Sequence, residues 1–157
     1  TQTGAPDEVG SAAGAGYNVN VELPAGTGDE GYLRAFTRVV APIVDRFEPG
    51  LLLVACGQDA NQFDPNGRQC VTMAGFRRLG GAARELADRH CGGRLVLAQA
   101  GGYARTYSAF CLHATLAGVL GLDTGLEDPC AYLPDDPGHA DDEIAAVQAA
   151  LSPYWPL

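Results

Sequence analysis

Hydrophobic residues recur along this chain in three short strand-like stretches and four helical ones. Residues 17–23 alternate between apolar and polar side chains, which is typical of a strand with one buried face. Residues 51–56 and 95–98 are unbroken apolar runs, typical of parallel strands that are covered on both faces. The pattern therefore predicts three strands, the first with Tyr17, Val19, Val21 and Leu23 on one side.

Helical spacing of apolar residues predicts four helices. The first covers residues 29–47 and should kink at Pro42, because proline lacks the N–H that a helix interior needs. The second begins after Thr72, a suitable N-cap, and stops at Gly92 and Gly93. The other two cover residues 108–120 and 141–151. The predicted inward-facing residues are Tyr32, Phe36, Val39, Val40, Ile43 and Phe47 in the first helix, Met73, Phe76, Leu79, Ala83 and Leu86 in the second, and Ile144, Val147 and Leu151 in the last.

Two apolar strands joined by a helix make up the middle of the chain. Such a βαβ unit predicts that residues 51–56 and 95–98 lie parallel, with a right-handed crossover. With 157 residues, of which 46% are hydrophobic, the chain can bury a sizeable core. The sequence therefore predicts one α/β domain over residues 1–157.

The remaining stretches have the composition of loops. Residues 1–16 are rich in Gly, Ala and Ser, and residues 121–139 carry prolines and acidic side chains, so both are predicted to be irregular surface segments. Residues 140–157 should form a C-terminal helix and a tail that docks through Tyr154 and Trp155.

Charge and cysteine usage limit the classes of function. A net charge of -9 argues against binding nucleic acid, because phosphate contacts need clustered Lys and Arg. Every apolar run is shorter than the roughly 18 residues that a membrane span needs, and the N-terminus does not resemble a signal peptide.

The five cysteines are odd in number and form no Cys-x-x-Cys pair, so reduced thiols in a soluble cytoplasmic protein are expected. The chain opens on Thr1 rather than Met, which suggests either a trimmed N-terminus or the middle of a longer polypeptide.

Two loops that follow the apolar strands carry candidate chemistry. Asp59 comes shortly after residues 51–56, and Tyr103 comes shortly after residues 95–98, behind Gly101 and Gly102. Ligands of parallel sheets bind at the carboxyl ends of strands, so a carboxylate and a phenol should face one cleft. The paired glycines allow a sharp turn or the close approach of a ligand. By itself, an Asp after a strand is more often a turn or cap residue, and a Tyr after two glycines is more often a packing residue.

Other reactive residue types have simpler interpretations. His90, His113 and His139 show no ligand spacing and are predicted to be structural or solvated. Asp64, in Asp-Pro-Asn-Gly, suits a turn. No Ser or Cys stands in a nucleophile-elbow motif.

Five motifs along the chain occur in an order that is typical of one enzyme family. They are the Gly-rich loop, Asn-Val stretch and Pro-Ala-Gly-Thr-Gly-Asp turn at residues 14–29, Tyr-Leu-Arg-Ala-Phe at 32–36 with Val-Ala-Pro-Ile at 40–43, the apolar strand and Gly-Gln-Asp-Ala loop at 47–60, Asp-Pro at 64–65 with Val-Thr-Met-Ala-Gly-Phe at 71–76, and Gly-Gly-Tyr at 101–103. The closing Pro-Tyr-Trp at 153–155 is similar to the end of bacterial class II-type members. Together they resemble the C-terminal half of the zinc-dependent histone deacetylase and acetylpolyamine amidohydrolase family.

This resemblance implies a fold and a set of site residues. The fold would be the three-layer α/β/α arginase-deacetylase architecture with a mainly parallel sheet, of which the chain is the C-terminal half. Asp59 would be a zinc (Zn²⁺) ligand, and Tyr103 would be a catalytic residue that polarises the substrate carbonyl. Gly101 and Gly102 would bind the substrate. The implied reaction is hydrolysis of an acyl-amide, such as an acetyl-lysine-like, acetylpolyamine-like or other small-molecule substrate.

The resemblance also implies that a partner is needed. In the family, the upstream half supplies two further zinc ligands and the paired histidines that handle the proton of the attacking water. A complementary N-terminal half, as a separate chain or a cleaved segment, is therefore expected, and the isolated chain is expected to be unstable or to dimerise. Two positions depart from the family: Gln58 stands in place of Phe, and Ala100 in place of Glu. These departures support an alternative hypothesis, a non-catalytic α/β interaction subunit derived from a deacetylase.

Overall fold

The computed structural model, which describes residues 3–130 and 135–157, contains a parallel pair of strands together with several helices. A short 3₁₀ helix, Ala12–Gly14, precedes the main elements. In chain order these are α1 (Asp29–Ala35), a π-helical turn (Phe36–Val40), α2 (Ala41–Phe47), β1 (Leu52–Cys56), α3 (Met73–Cys91), β2 (Leu95–Gln99), α4 (Tyr107–Leu120) and α5 (Asp141–Leu151).

The β1–α3–β2 unit confirms the predicted parallel pairing. β1 and β2 pair in register from Leu52 with Leu95 to Cys56 with Gln99. Leu53 pairs with Val96, and these side chains are 69% and 47% exposed. The prediction that both strands are covered on both faces is therefore wrong within the described part of the chain, because this apolar face has no layer over it there.

Pro42 alters the first helix as its chemistry requires. Helical residues run from Asp29 to Phe47, but the residues before Pro42 form a π turn. Since Pro42 cannot donate to the carbonyl of Arg38, that carbonyl accepts a hydrogen bond from the Gln148 side chain of α5 at 3.1 Å. The predicted inward face holds best at Val39, which is fully buried, and fails at Phe47, which is 54% exposed.

Helix α3 begins and ends where the sequence predicts. Thr72 is the N-cap, and its Oγ1 accepts a hydrogen bond from Gly75 N. Asp29 extends this cap, because its two carboxylate oxygens accept from Thr72 N at 2.8 Å and from Thr72 Oγ1 at 2.7 Å. At the other end, Gly92 adopts the left-handed conformation with φ of 58°.

Helices α3 and α4 approach each other closely at glycines. A Cβ on Gly80 would lie 2.4 Å from the carbonyl oxygen of Thr115, and one on Gly118 would lie 2.0 Å from that of Arg77. Both distances are far below van der Waals contact. The two helices can therefore pack at this spacing only because these positions lack side chains.

The predicted strand at residues 17–23 is wrong. These residues are irregular, and the side chain of Asn20 donates to the carbonyl of Ala5 at 3.0 Å, a contact to a neighbouring loop rather than to a strand. The inward-facing set is nevertheless partly right, because Val19, Val21 and Leu23 pack against the core while Tyr17 is 66% exposed.

Two apolar clusters form the core of the described residues. The first joins α1, the π turn and α5, and the second lies between the start of α3 and α4. Residues Ile144, Val147 and Leu151 are fully buried as predicted. The buried members are Ala35, Val39, Ala140, Ile144, Val147 and Leu151 in the first cluster, and Val71, Met73, Phe76, Tyr107, Cys111 and Ala114 in the second.

The C-terminal tail docks as predicted. Trp155 Nε1 donates to the carbonyl of Gly16 at 2.7 Å, and its ring meets Tyr17 edge to face. Of the loop predicted at 121–139, the described residues contain neither helix nor strand, and residues 131–134 lie outside them.

All five cysteines are free thiols, consistent with the expectation from their spacing. The helices of the described residues are too short or too polar to span a bilayer.

Candidate active site

The loops that follow β1 and β2 meet at the carboxyl edge of the strand pair. We call residues 57–60 the Asp59 loop and residues 100–104 the Tyr103 loop. Ala100 N donates to the carbonyl of Cys56 at 3.2 Å, and Gln58 N donates to the carbonyl of Gly101 at 2.8 Å. The structure therefore brings Asp59 and Tyr103 to the same edge, as the sequence predicts for parallel neighbours.

Two glycines form a cradle around the Asp59 carboxylate. A Cβ on Gly101 would lie 2.0 Å from Asp59 Oδ2, and one on Gly57 would lie 2.5 Å from Asp59 Oδ1. A side chain at Gly101 would thus displace the carboxylate. The role of Gly101 seen here is to leave room for Asp59, and its predicted contact with substrate stays a prediction.

Gly102 gives the Tyr103 loop its sharp turn. Its φ is 134°, a conformation that side chains disfavour, and an added Cβ would lie 3.1 Å from Gln58 Cβ. Tyr103, immediately after this turn, is 55% exposed. The phenol is therefore presented to solvent at the rim of the site rather than packed in the core.

Asp64 has a role that its turn motif alone did not reveal. Its Oδ1 accepts from Asn66 N at 2.9 Å and Gly67 N at 3.0 Å, which confirms the predicted turn. Its Oδ2 accepts from Tyr103 N at 2.6 Å and Ala104 N at 3.3 Å, in the other loop. Burial would raise the pKa of Asp64, but these backbone donors outweigh it and hold the pKa below its usual value.

Tyr32, which helical spacing places in the core, also lies within electrostatic reach of Asp59. Burial raises the pKa of Tyr32 to about 12, and the negative charge of Asp59 adds to the rise. Like an ordinary tyrosine, Tyr32 is therefore neutral at physiological pH, so it adds no negative charge beside Asp59.

The histidines lie in separate places. His90 Nε2 is 2.7 Å from Asp45 Oδ1, and His139 Nε2 is 2.9 Å from the carbonyl of Ala25. His113 Nε2 is buried without a hydrogen-bond partner among the described residues. The acidic partner of His90, 45 residues away, is a contact that sequence spacing did not reveal. Within the ranges that the structure describes, no three His, Cys, Asp or Glu side chains form a potential metal site.

Residues 2–119 match the model of the histone deacetylase domain. The chain belongs to the histone deacetylase family. It is 49% identical to histone deacetylase 8 of Arabidopsis thaliana over 94% of this chain, and 40% identical to the histone deacetylase-like amidohydrolase of Pseudomonas aeruginosa over 78% of this chain.

Solved structures of histone deacetylases share the fold. The HD domain of HDA15 superposes with a TM-score of 0.81 at 34% identity over 98% of this chain, and the histone deacetylase Clr3 with a TM-score of 0.82 at 31% identity over 97%. This confirms the predicted α/β, arginase-deacetylase-like fold class.

The histone deacetylase relatives are much longer than this chain. The chain spans 39% of the Arabidopsis protein, 32% of the Pseudomonas protein and 40% of the HDA15 domain chain. It therefore corresponds to a part of a deacetylase domain.

Proposed function

We propose that this chain contributes one zinc ligand, Asp59, and one carbonyl-polarising phenol, Tyr103, to the active site of a deacetylase that hydrolyses an acyl-amide. The observation that carries the proposal is the meeting of the two loops, in which Gly101 of the Tyr103 loop lies against the Asp59 carboxylate. Family membership and the names of the relatives, deacetylase and amidohydrolase, support this class of reaction.

The surroundings of Asp59 fit a metal ligand. Its carboxylate is half-buried in a glycine cradle, and the hydrogen bonds of the described residues leave both oxygens available. A carboxylate is one of the ligand types that zinc accepts, but a catalytic zinc needs three protein ligands. When bound, zinc would polarise the substrate carbonyl and lower the pKa of a water molecule toward about 7.

Tyr103 has the chemistry for the second role. A phenol donates one hydrogen bond, and the exposed position of Tyr103 allows it to reach a bound acyl group. The hydrogen bond from the phenol to the carbonyl oxygen would strengthen as that oxygen gains negative charge. This would lower the activation barrier by an amount on the order of 3 kcal/mol. The backbone of the Tyr103 loop, held by Gln58 and Asp64, would fix where the phenol points.

We further propose that the remaining ligands and the general base come from a complementary N-terminal portion of the domain. The exposed pair Leu53 and Val96 supports this, because it leaves an apolar surface on the strand pair. Each described strand also has one edge without a partner strand. We call this chain together with that portion the complete domain.

Gel filtration tests the need for this portion. The isolated chain should self-associate or unfold, and addition of the N-terminal portion should give a stable one-to-one complex. An isolated chain that elutes as a monomer and also unfolds in a single two-state transition would contradict the proposal.

Substitution of Asp59 and Tyr103 in the complete domain tests the proposed chemistry. Asp59→Asn should lose both bound zinc, about one per domain in the unaltered protein, and hydrolysis of acetyl-lysine and acetylpolyamine substrates. Tyr103→Phe should keep zinc and lose roughly 10²–10³-fold in kcat. Tyr17→Phe, at an exposed tyrosine of the N-terminal segment, is the matched control and should leave kcat unchanged. Retention of zinc in Asp59→Asn would refute the assigned ligand.

A non-catalytic interaction subunit is the second candidate. It is favoured by Ala100, which leaves the Tyr103 loop without the carboxylate that the family usually has there, and by Gln58 beside the proposed ligand. A complete domain that holds no zinc and hydrolyses neither substrate would support this candidate.

A further inference from the structure

The carboxylate of Asp64 joins two loops that are distant in sequence. One oxygen accepts two backbone hydrogen bonds within its own turn, from Asn66 and Gly67, and the other accepts two from Tyr103 and Ala104. The shortest, at 2.6 Å, is to the nitrogen of Tyr103 itself. Short bonds from N–H groups to an ionised oxygen are stronger than those to neutral acceptors.

Asp64 is buried, with 8% of its surface exposed. Hydrogen bonds from backbone amides offset the cost of burying its negative charge. In the described part of the chain, no Lys, Arg or His forms an ion pair with it. A buried charge without a cation is tolerated only when hydrogen bonds satisfy it. The four N–H donors are therefore held tightly, since loss of any one of them would raise the cost of burying the charge.

The turn that Asp64 closes also touches the proposed ligand residue. A Cβ on Gly67 would lie 1.9 Å from the carbonyl oxygen of Asp59, so the turn packs directly against the Asp59 backbone. Tyr103, by contrast, is more than half exposed, so the described residues of this chain give its side chain little packing support. The position of its phenol therefore depends on how its backbone is anchored.

We infer that Asp64 is a positioning residue, which sets the placement of the Tyr103 phenol relative to the Asp59 carboxylate. It does so by fixing the Tyr103 loop and the turn that packs against Asp59 to one buried anion. This inference rests on the proposed function, because it assigns Asp64 a part in the reaction that Tyr103 would assist. Asp64 itself acts through the loop backbones.

A double-mutant cycle between Asp64 and Tyr103 in the complete domain tests the inference. In Asp64→Asn, one oxygen becomes an NH₂ group, so two of the four backbone donors lose their acceptor in either orientation of the amide. The expected result is a kcat reduced roughly 10- to 100-fold with KM and zinc content nearly unchanged, because misplacement by about 1 Å has effects of this size. In a Tyr103→Phe background, the same substitution should reduce kcat by less than about threefold, since the group that it misplaces is already absent.

Other outcomes have distinct meanings. An equal loss of kcat in both backgrounds, or loss of zinc in Asp64→Asn, would show that Asp64 acts on the site as a whole and would overturn the inference. If Tyr103→Phe alone leaves kcat unchanged, the proposed role of Tyr103 fails instead.

Asp123→Asn, at an exposed carboxylate with a surface ion pair to Arg77, is the control and should match the unaltered domain. If Asp64→Asn does not fold by circular dichroism, Asp64→Glu, which keeps the charge and displaces it by one methylene, takes its place in the same cycle.

Discussion

Gln99 donates a hydrogen bond from its Nε2 to Gln58 Oε1 at 2.7 Å, and this pair links the end of β2 to the Asp59 loop. Gln58 is fully buried, and its own Nε2 contacts Cys56 Sγ at 3.2 Å. The amide at position 58, where the family resemblance implies phenylalanine, is therefore accommodated by specific polar partners. Because Gln58 directly precedes Asp59, the hydrogen bond between Gln58 and Gln99 helps to hold the backbone of the proposed ligand in place.

Removal of the Gln58 side chain should destabilise the protein strongly. Gln58→Ala in the complete domain leaves a cavity and removes the acceptor of Gln99, and we expect a loss of about 2–4 kcal/mol in the free energy of unfolding. Gln99→Ala removes the donor to the buried Gln58 Oε1 but leaves no cavity, because Gln99 is exposed, and should cost less, about 1–2 kcal/mol. Urea unfolding of both variants measures the difference. Equal effects would mean that burial of Gln58 contributes little.

The crossing of α3 and α4 predicts opposite results for two glycines. Gly118→Ala would place a methyl group 2.0 Å from the carbonyl of Arg77, so the helices must separate at a cost of about 1–3 kcal/mol. Gly81→Ala is the matched control. Its methyl group would lie 3.8 Å from the carbonyl of Gly118, an ordinary contact, and the gain in helix propensity should stabilise the protein by up to about 1 kcal/mol. Thermal unfolding of the two variants checks this, and a destabilising Gly81→Ala would count against the close-packing argument.

The elements that sequence periodicity predicted well are those whose stability is local. Thr72 and Gly92 define the ends of α3 through contacts within a few residues, and the parallel pairing of β1 with β2 follows from one intervening helix. Residues 17–23 show the limit of the same reasoning. Alternation indicates which side chains face the core, but a strand also needs a neighbouring strand, and the local pattern cannot reveal whether one is present.

The candidate site divides in the same way. Asp59 and Tyr103 are recognisable in the sequence because each follows a strand, and the family resemblance implies their roles. The link between Asp64 and Tyr103 joins residues 39 apart through backbone amides, which any residue type can supply. No sequence pattern encodes such a contact, so the turn motif at residues 64–67 predicted only half of what the carboxylate does.

Asp29 should contribute more to stability than its place near a helix start suggests. Asp29→Ala removes the acceptor for both the N–H and the hydroxyl of Thr72, and we expect a loss of about 1–3 kcal/mol in the free energy of unfolding. Asp88→Ala breaks an exposed ion pair with Arg84 within α3 and should cost less than about 0.5 kcal/mol. Urea unfolding of the complete domain compares the two carboxylates. A larger effect at Asp88 would contradict the capping role of Asp29.

The contact between α2 and α3 at Asp45 should make stability depend on pH in acid. Hydrogen bonds from His90 and Arg89 lower the pKa of Asp45 below its ordinary value of about 4. As the pH falls, the unfolded chain therefore binds this proton before the folded one does. The stabilisation is fully present above about pH 4 and is lost as the pH falls through the lower pKa of the folded state.

Asp45→Asn should remove this contribution at every pH. The variant should unfold at a lower urea concentration than the unaltered complete domain at about pH 5, and the difference should shrink toward about pH 3 as Asp45 of the unaltered domain becomes protonated. Urea midpoints measured across this interval give the gap directly. A gap that stays constant from about pH 5 to about pH 3 would mean that the carboxylate of Asp45 is not coupled to folding, because only a lowered pKa makes the two curves converge in acid.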